Sequence, residues 1–400
     1  MRSSSIRGDP TTGESGALAG LLAIELGELV SAPHAAKLLA DFGADVVKVE
    51  HPAGGDPMRW RGPYPLGTPA HELGGQFEYF NSNKRSAAWD LTEPAQRRHF
   101  DALIERADIL LTNLPAERVA ALDLEPIRLR ERYPALIVTT ISPFGMTGPY
   151  AAYRGDELIT YAMSGLAHVT PGMPDTAEDP EIEGPLHPAC AVSETIAGVF
   201  AAVATMFAVL QRDRTGEGCH IDLSQQAATT LVEARGIPAF TYGGLLPGRV
   251  PPIGKMPNFY LPCLDGHVVV ATFLDLQWAR FVKVMGDPEW AQLDAFADGA
   301  GRTANWDALR ALIGEWLADK SCDHLLRLGV EHHLPLFPVF TIRQLAGDPH
   351  VEARGSLVEV RRDGYTLRMP GPPVRMARTP WALRRLAPRL GEQTAEIAVP

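Results

Sequence analysis

The chain is short of cysteine, of positive charge and of nucleotide-binding loops, and each shortage removes a class of function. Its four cysteines, Cys190, Cys219, Cys263 and Cys322, are scattered among 400 residues, with no CxxC pair and no metal-ligand spacing. They read as reduced, buried thiols, which excludes a disulfide scaffold and a structural zinc site. His332-His333 has no third ligand nearby in sequence, so no metal is expected. A formal charge of −11 argues against a nucleic-acid partner, because phosphate binding needs a basic face. Residues 1–16 are polar and lack an apolar signal core, so they are expected to form a disordered tail on a cytoplasmic protein. No segment looks transmembrane, and no membrane partner is expected. The fingerprint GxGxxG is missing after the first apolar run, where ELGELVSAP stands instead, and GxxxxGK[ST] is missing altogether. A nicotinamide dehydrogenase or a nucleotide hydrolase is therefore a poor fit. The absence of GxSxG removes a serine hydrolase of that type.

What is present is an alternation of short apolar runs with helical spacing. Leu21–Gly27, Asp45–Glu50, Ala87–Leu91, Ile109–Thr112 and Leu136–Ser142 read as strands. Pro33–Phe42, Thr92–Ala107 and Pro126–Tyr133 read as helices between them. Strands alternating with helices imply a parallel, doubly wound sheet, whose ligands bind beyond the carboxyl ends of the strands. The residues there are Glu28–Ser31, His51, Asn113–Leu114 and Pro143–Gly145. Lys84 and Arg85 are candidate phosphate donors, or a solvated basic pair. Asp156 and Glu157 are adjacent carboxylates on a glycine turn. Residues 171–187 look like an exposed loop. After His220–Leu223, a strand, and Gln225–Gly236, a helix, the pattern changes. Asp265-Gly266 joins two strands in a hairpin, helices follow, and antiparallel strands appear at Ser356–Val360 and Tyr365–Arg368. The break near residue 226 marks a second, smaller domain.

The stretch that organises the chain is PACAVSETIAGVFAAVATMFAVLQRDRTGEG, residues 188–218. Ser193 suits a helix N-cap and Glu194 the first turn. Thr195–Leu210 carries no charge, which predicts a helix buried all round. Glu194 is thus an ionisable group where a central helix begins. It serves either the helix electrostatics or as a nucleophilic or acid/base carboxylate.

Several stretches, in this order, resemble the class III CoA transferases, the group related to formyl-CoA transferase, carnitine CoA transferase and α-methylacyl-CoA racemase. They are LLADFGADVVKVEHPAGGDPMR (38–59), NSNKRSAAWDL (81–91), ISPFGMTGPY (141–150), AMSGL (162–166), residues 195–224 and FPVFTIRQLAGDPHVEARG (337–355). The resemblance runs from about Leu18 to about Ile397. It implies an α/β fold with a doubly wound large domain, a smaller α+β domain and an interlocked dimer. The large domain would span 17–225, the small domain 226–334, and residues 335–400 would return to the large one. It implies no tightly bound cofactor, coenzyme A and acyl-CoA as substrates, a carboxylate co-substrate, and a homodimer or a heterodimer with a related chain. Val30, Ser31 and Ala32 would lie along CoA, His51 near the adenine, and Asn113, Leu114 and Arg118 in the same site. Lys84 and Arg85 match the group's NKRS. Asp156 and Glu157 would border the substrate pocket.

Two departures stand out. The group carries Asp-x-x-x-Gly at the start of the buried helix, and this chain has Glu194-Thr195-Ile196-Ala197-Gly198. The turn after Asn113 is Leu114-Pro115-Ala116-Glu117, and Ala121 stands where a basic residue is expected. Two readings follow. Glu194 is the nucleophile of an active CoA transferase, or the chain is a non-catalytic subunit of a heteromeric one. A racemase-like enzyme is a third. Against it, Asp156 occupies the place of the racemase histidine, and racemisation needs a base on each face of the α-carbon. Trp60, Tyr64, Phe77 and Tyr79 hint at a bulky acyl group or at packing.

Overall fold

The computed structural model describes residues 16–65, 74–170, 184–246, 258–272 and 274–398. All but the last residue of the tail expected over 1–16, and most of the loop expected over 171–187, lie outside them. In chain order the first half runs β1 (Leu22–Leu26), α1 (Ser31–Asp41), β2 (Asp45–Glu50), α2 (Gly75–Asn81), β3 (Arg85–Ala88), α3 (Pro94–Ile104), β4 (Ile109–Thr112), α4 (Ala116–Ala121), α5 (Pro126–Arg132) and β5 (Ile137–Ser142). Then come α6 (Glu157–Met163), α7 (Leu166–Val169), α8 (Val192–Thr215), β6 (His220–Ser224), α9 (Gln225–Thr230) and α10 (Gly236–Gly243). The remainder is β7 (Asn258–Cys263), β8 (Gly266–Ala271), α11 (Asp275–Val284), α12 (Gly299–Ala304), α13 (Trp306–Leu317), α14 (Cys322–His332), β9 (Leu336–Pro338), α15 (Ile342–Ala346), α16 (Pro349–Ala353), β10 (Leu357–Arg362), β11 (Tyr365–Pro370) and α17 (Thr394–Ile397).

The chain divides into two compact units. The first comprises Met1–Ala167, His187–Ala234 and Glu352–Pro400; the second His168–Leu186 and Arg235–Val351. In the first unit six parallel strands lie in the order β3-β2-β1-β4-β5-β6. Alternate strand residues serve opposite layers. Ala23, Ile109 and Leu111 pack with Ala35, Leu39, Ala197 and Ala201 of α1 and α8. Ile24, Leu110 and Val138 pack with Phe100, Leu103, Val119 and Leu129 of α3, α4 and α5. Strand order reverses between β1 and β4, so a crevice opens beyond their carboxyl ends.

The C-terminal segment threads back along this unit. Arg59 Nη1 donates to Pro388 O at 3.1 Å, Trp381 Nε1 to Asp41 Oδ2 at 2.7 Å, and Gln393 N to Ser86 O at 3.0 Å. In the second unit β7, β8 and β9 form an antiparallel sheet. Leu261, Val268 and Val270 of that sheet share a core with Phe281, Leu309, Ile313 and Leu325.

The divisions fall later than the 225/226 and 334/335 expected from sequence. Gln225 Nε2 donates to Thr160 Oγ1 at 2.8 Å and so keeps α9 in the first unit. β9 pairs with β8 and so keeps the chain past Leu336 in the second.

Three local expectations are corrected. The third strand is Arg85–Ala88 and ends before Trp89. Helix α8 begins at Val192, so Ser193 lies inside its first turn rather than capping it. And α8 is not buried all round. Ala197, Ala201, Ala202, Ala208 and Val209 are buried, but Val199, Val203, Leu210 and Phe207 are exposed, Phe207 by 67%. By length and apolar composition alone α8 could cross a membrane, but its alanine face is part of the core against α1.

Candidate active site

The turn from β1 into α1 is built to hold one shape. Gly27 has no room for a side chain, since a Cβ there would stand 2.6 Å from Ala32 Cβ. Leu29 adopts a left-handed backbone with φ 62°, a conformation that costs about 1 kcal/mol and needs external support. Asn113 Oδ1 accepts the Glu28 amide at 2.8 Å, and Asn113 Nδ2 donates to Glu28 O at 2.7 Å and Ser31 Oγ at 2.9 Å. Asp56 Oδ1 accepts the Leu29 amide at 3.0 Å.

Two buried ammonium groups grip the same turn from below. Lys48 Nζ donates to Gly27 O at 2.9 Å and pairs with Glu25 Oε1 at 2.6 Å. Lys84 Nζ donates to Pro33 O at 2.8 Å and pairs with Glu25 Oε2 at 2.6 Å. Burial opposes both charges. For Lys48 the carboxylates of Asp56, Glu25 and Glu50 win and hold it above its usual range; for Lys84 burial wins and pulls it to about 8. Val30, Ser31 and Ala32 are buried, so of this turn it is Gly27 and the half-buried Glu28 that border the crevice, while Leu29 packs with Val30, Met58 and Phe77.

This corrects the reading of Lys84 and Arg85 as phosphate donors. Lys84 spends its donors on Glu25, Pro33 and Asn81. Arg85 is the first residue of β3, at the amino end of a parallel sheet, where it pairs with Asp45 and Glu396. Ligands enter at the opposite end.

At the carboxyl ends of β1, β2 and β4 lies a cavity of about 240 Å³. Leu26, Glu28, His51, Trp89, Leu114 and Arg118 are among its lining. His51, Leu114 and Arg118 are thus brought together as the sequence suggested. Arg118 Nη1 pairs with Glu28 Oε1 at 2.5 Å, and His51 Nε2 lies 3.5 Å from Asp90 Oδ2. Trp89 and Asp90 escaped the sequence reading because the third strand was drawn through them. They follow its end, at the position where the rule for parallel sheets would have placed them.

Glu194 lies in the first turn of α8, half-buried. The helix is held close to α1 by Gly198, where a Cβ would meet Ser31 O at 2.8 Å and His34 Cβ at 2.9 Å. His34 Nδ1 lies 3.2 Å from Thr195 O, and burial lowers its imidazole to about 4. Beneath the turn, Ser193 Oγ joins Thr160 Oγ1 and Thr229 Oγ1, each at 2.8 Å.

The true cap of α8 is Glu157. Its Oε1 accepts the Ser193 amide at 3.0 Å and its Oε2 the Glu194 amide at 2.8 Å. His187 Nε2 stands 3.0 Å from the same Oε1. Burial and the adjacent Glu157 push the Glu194 carboxyl up to about 7, and Arg61 pulls the other way. Asp156 serves α6 instead, accepting the Ile159 amide at 3.2 Å. The Ser193 and Glu194 amides of α8 are therefore taken by Glu157 and do not stand open to an oxyanion. His187, missed in the sequence, had no motif to betray it; only the fold sets it beside Glu157.

The geometry can be set beside known proteins. A sequence model of CoA-transferase family III matches residues 18–394. The chain belongs to CoA-transferase family III. A succinate–glutarate CoA-transferase of Agrobacterium fabrum is 31% identical over 388 residues, covering 95% of this chain and 94% of that protein. A succinyl-CoA–L-malate CoA-transferase beta subunit of Chloroflexus aurantiacus is 30% identical, covering 95% and 93%. A CAIB/BAIF family protein from Brucella suis has a structure similar at TM-score 0.85, 28% identical over 96% of this chain and 99% of that one. The family III chain described here is accordingly a CoA-transferring enzyme that uses acyl-CoA as substrate.

Proposed function

We propose that the enzyme moves CoA from an acyl-CoA donor to a dicarboxylic acid, with Glu194 as the covalent carboxylate. The observation that carries this reading is Glu194 itself: a half-buried carboxyl at a helix start, raised to about 7 and facing the pull of Arg61. A carboxylate nucleophile must be ionised yet reactive near neutral pH. Glu194 attacks the donor thioester carbonyl, the C–S bond breaks, and CoA leaves as thiolate from a mixed anhydride. The thiolate then attacks the Glu194 carbonyl and releases the donor acid, leaving a glutamyl-CoA thioester. The acceptor carboxylate attacks that thioester, and the freed thiolate takes the acceptor acyl group and restores Glu194. The crevice holding His51, Leu114 and Arg118 suits the nucleotide end of CoA, with Arg118 free to exchange Glu28 for a phosphate. No step calls for a tightly bound cofactor.

The dicarboxylate follows from chemistry shared by the two named relatives, one a succinate–glutarate and the other a succinyl-CoA–L-malate CoA-transferase. One carboxylate reacts and the other needs a cation. Arg61 is exposed, and its charge acts on Glu194, so it is our choice for that cation. The acyl pocket then favours a small polar group over the bulky one suggested by the loop aromatics: Phe77 is buried beneath the Arg59 guanidinium at 3.9 Å. The test is CoA exchange from succinyl-CoA to succinate, glutarate, malate and their monocarboxylate counterparts, with wild type and Arg61→Gln. Wild type should favour the diacids by tenfold or more, about 1.4 kcal/mol, and the variant should lose that preference. Equal rates for mono- and diacids would contradict it.

A second reading is favoured by one observation: a relative is named as a beta subunit. The chain would then work with a related partner. In either case a second chain, interlocked as a homodimer or heterodimer, would cover the exposed apolar face of α8 at Val199, Val203 and Phe207.

A further inference from the structure

The second unit brings together two cysteines 59 positions apart in sequence. Cys263 ends β7 and Cys322 begins α14, with Sγ atoms 3.4 Å apart and both thiols free. Three features of the chain create this approach. The loop after β7 is two residues long, so β8 starts at Gly266. Gly266 has no side chain, and a Cβ there would already touch Cys322 Sγ at 3.2 Å. Asp265, in the loop, accepts the Cys322 amide at 2.7 Å through Oδ1 and so pins the start of α14 to the hairpin. Cys263 is half-buried and Cys322 buried, so only one of the pair meets solvent freely.

We propose that Cys263 and Cys322 form a reversible dithiol/disulfide pair, with Cys263 the entry thiol and Cys322 the resolving one. A bonded pair needs the sulfurs at about 2.05 Å, a short closure from 3.4 Å. The co-reactant is a small-molecule disulfide. Cys263 thiolate attacks one of its sulfurs, giving a mixed disulfide and one free thiolate. Cys322 sulfur then attacks Cys263 Sγ, the mixed disulfide breaks, and the second small thiol leaves with the Cys322 proton. Two electrons pass from the protein to the reagent.

Burial, the Cys263 thiol and the Asp265 carboxylate together push the Cys322 thiol up to about 12. Its position at the first residue of α14 would by itself favour the thiolate. Burial first, with the two neighbours behind it, outweighs that preference, so entry falls to the more accessible Cys263.

The experiment treats the native full-length chain with glutathione disulfide and maps the products by mass. Wild type should lose the mass of two hydrogens on a cross-linked pair of peptides containing Cys263 and Cys322, reversed by dithiothreitol. Cys322→Ser should instead keep one glutathionyl group on Cys263. Cys263→Ser should leave Cys322 unmodified. A stable glutathionyl group on wild-type Cys263, or no reaction at the pair while exposed Cys190 is fully modified, would overturn the proposal. Zinc retained at one ion per chain and protecting both thiols would also overturn it, because Cys263, Asp265 and Cys322 would then be metal ligands.

Discussion

The carboxylate of Glu157 sits on the amino end of the helix that carries Glu194, its Oε2 2.8 Å from the Glu194 amide nitrogen. Two acidic side chains thus share one helix start. Glu157 takes the open amides of the first turn, which satisfies donors that have no partner within a helix. Glu194 is left without that support, beside a like charge and half-buried, and its carboxyl rises to about 7.

Activity should follow that ionisation. The attacking species is the carboxylate, so the rate should rise with pH through about 7 and level off above it. Glu157→Gln removes the like charge and should move the midpoint down; Arg61→Gln removes the opposing charge and should move it up. A pH profile of kcat/KM for the three proteins checks the signs. Shifts in the same direction for both variants would count against the arrangement.

Gly198 should tolerate no side chain. Gly198→Ala places a methyl group 2.8 Å from the Ser31 carbonyl and 2.9 Å from His34 Cβ. Both neighbours belong to α1, one of them backbone, so the helices must separate. The cost should be roughly 1–3 kcal/mol of stability, read as a lower denaturation midpoint. Because Glu194 is one turn away, kcat should fall as well.

Arg118 and Lys84 should separate binding from folding. Arg118 lines the crevice and is partly exposed, so Arg118→Ala should raise KM for acyl-CoA several-fold with kcat nearly kept. Lys84 is buried against Glu25. Lys84→Met strands that carboxylate in part and should cost about 3–5 kcal/mol of stability. Denaturation and steady-state kinetics on both variants test the division. A KM effect for Lys84→Met in a chain of unchanged stability would restore it as a ligand.

Much of the first unit was legible because its strands announce themselves. Asp45–Glu50 and Ile109–Thr112 are short apolar runs bounded by turns, and both were drawn at their observed ends. The third strand was not, because Arg85-Ser86-Ala87-Ala88 carries little apolar signal and Trp89 just beyond it carries a great deal. Position relative to the sheet was also legible for His51 and Leu114, since strand ends give it directly; Arg118, within α4, came only from the resemblance. Pairing was not. Nothing local marks Lys84 as a clamp on the Pro33 carbonyl, His187 as a neighbour of Glu157, or Cys322 as a neighbour of Cys263, because each contact spans tens of residues. The even apolarity of Thr195–Leu210 concealed a helix with two fates, alanines against α1 and larger residues outward.

The most direct test of the account is the intact mass of the purified chain after incubation with succinyl-CoA, beside Glu194→Gln. Wild type should carry a covalent CoA adduct, mapped to the peptide bearing Glu194 and absent from the variant. An adduct that persists in Glu194→Gln, or CoA bound by wild type without any adduct while exchange proceeds, would contradict it.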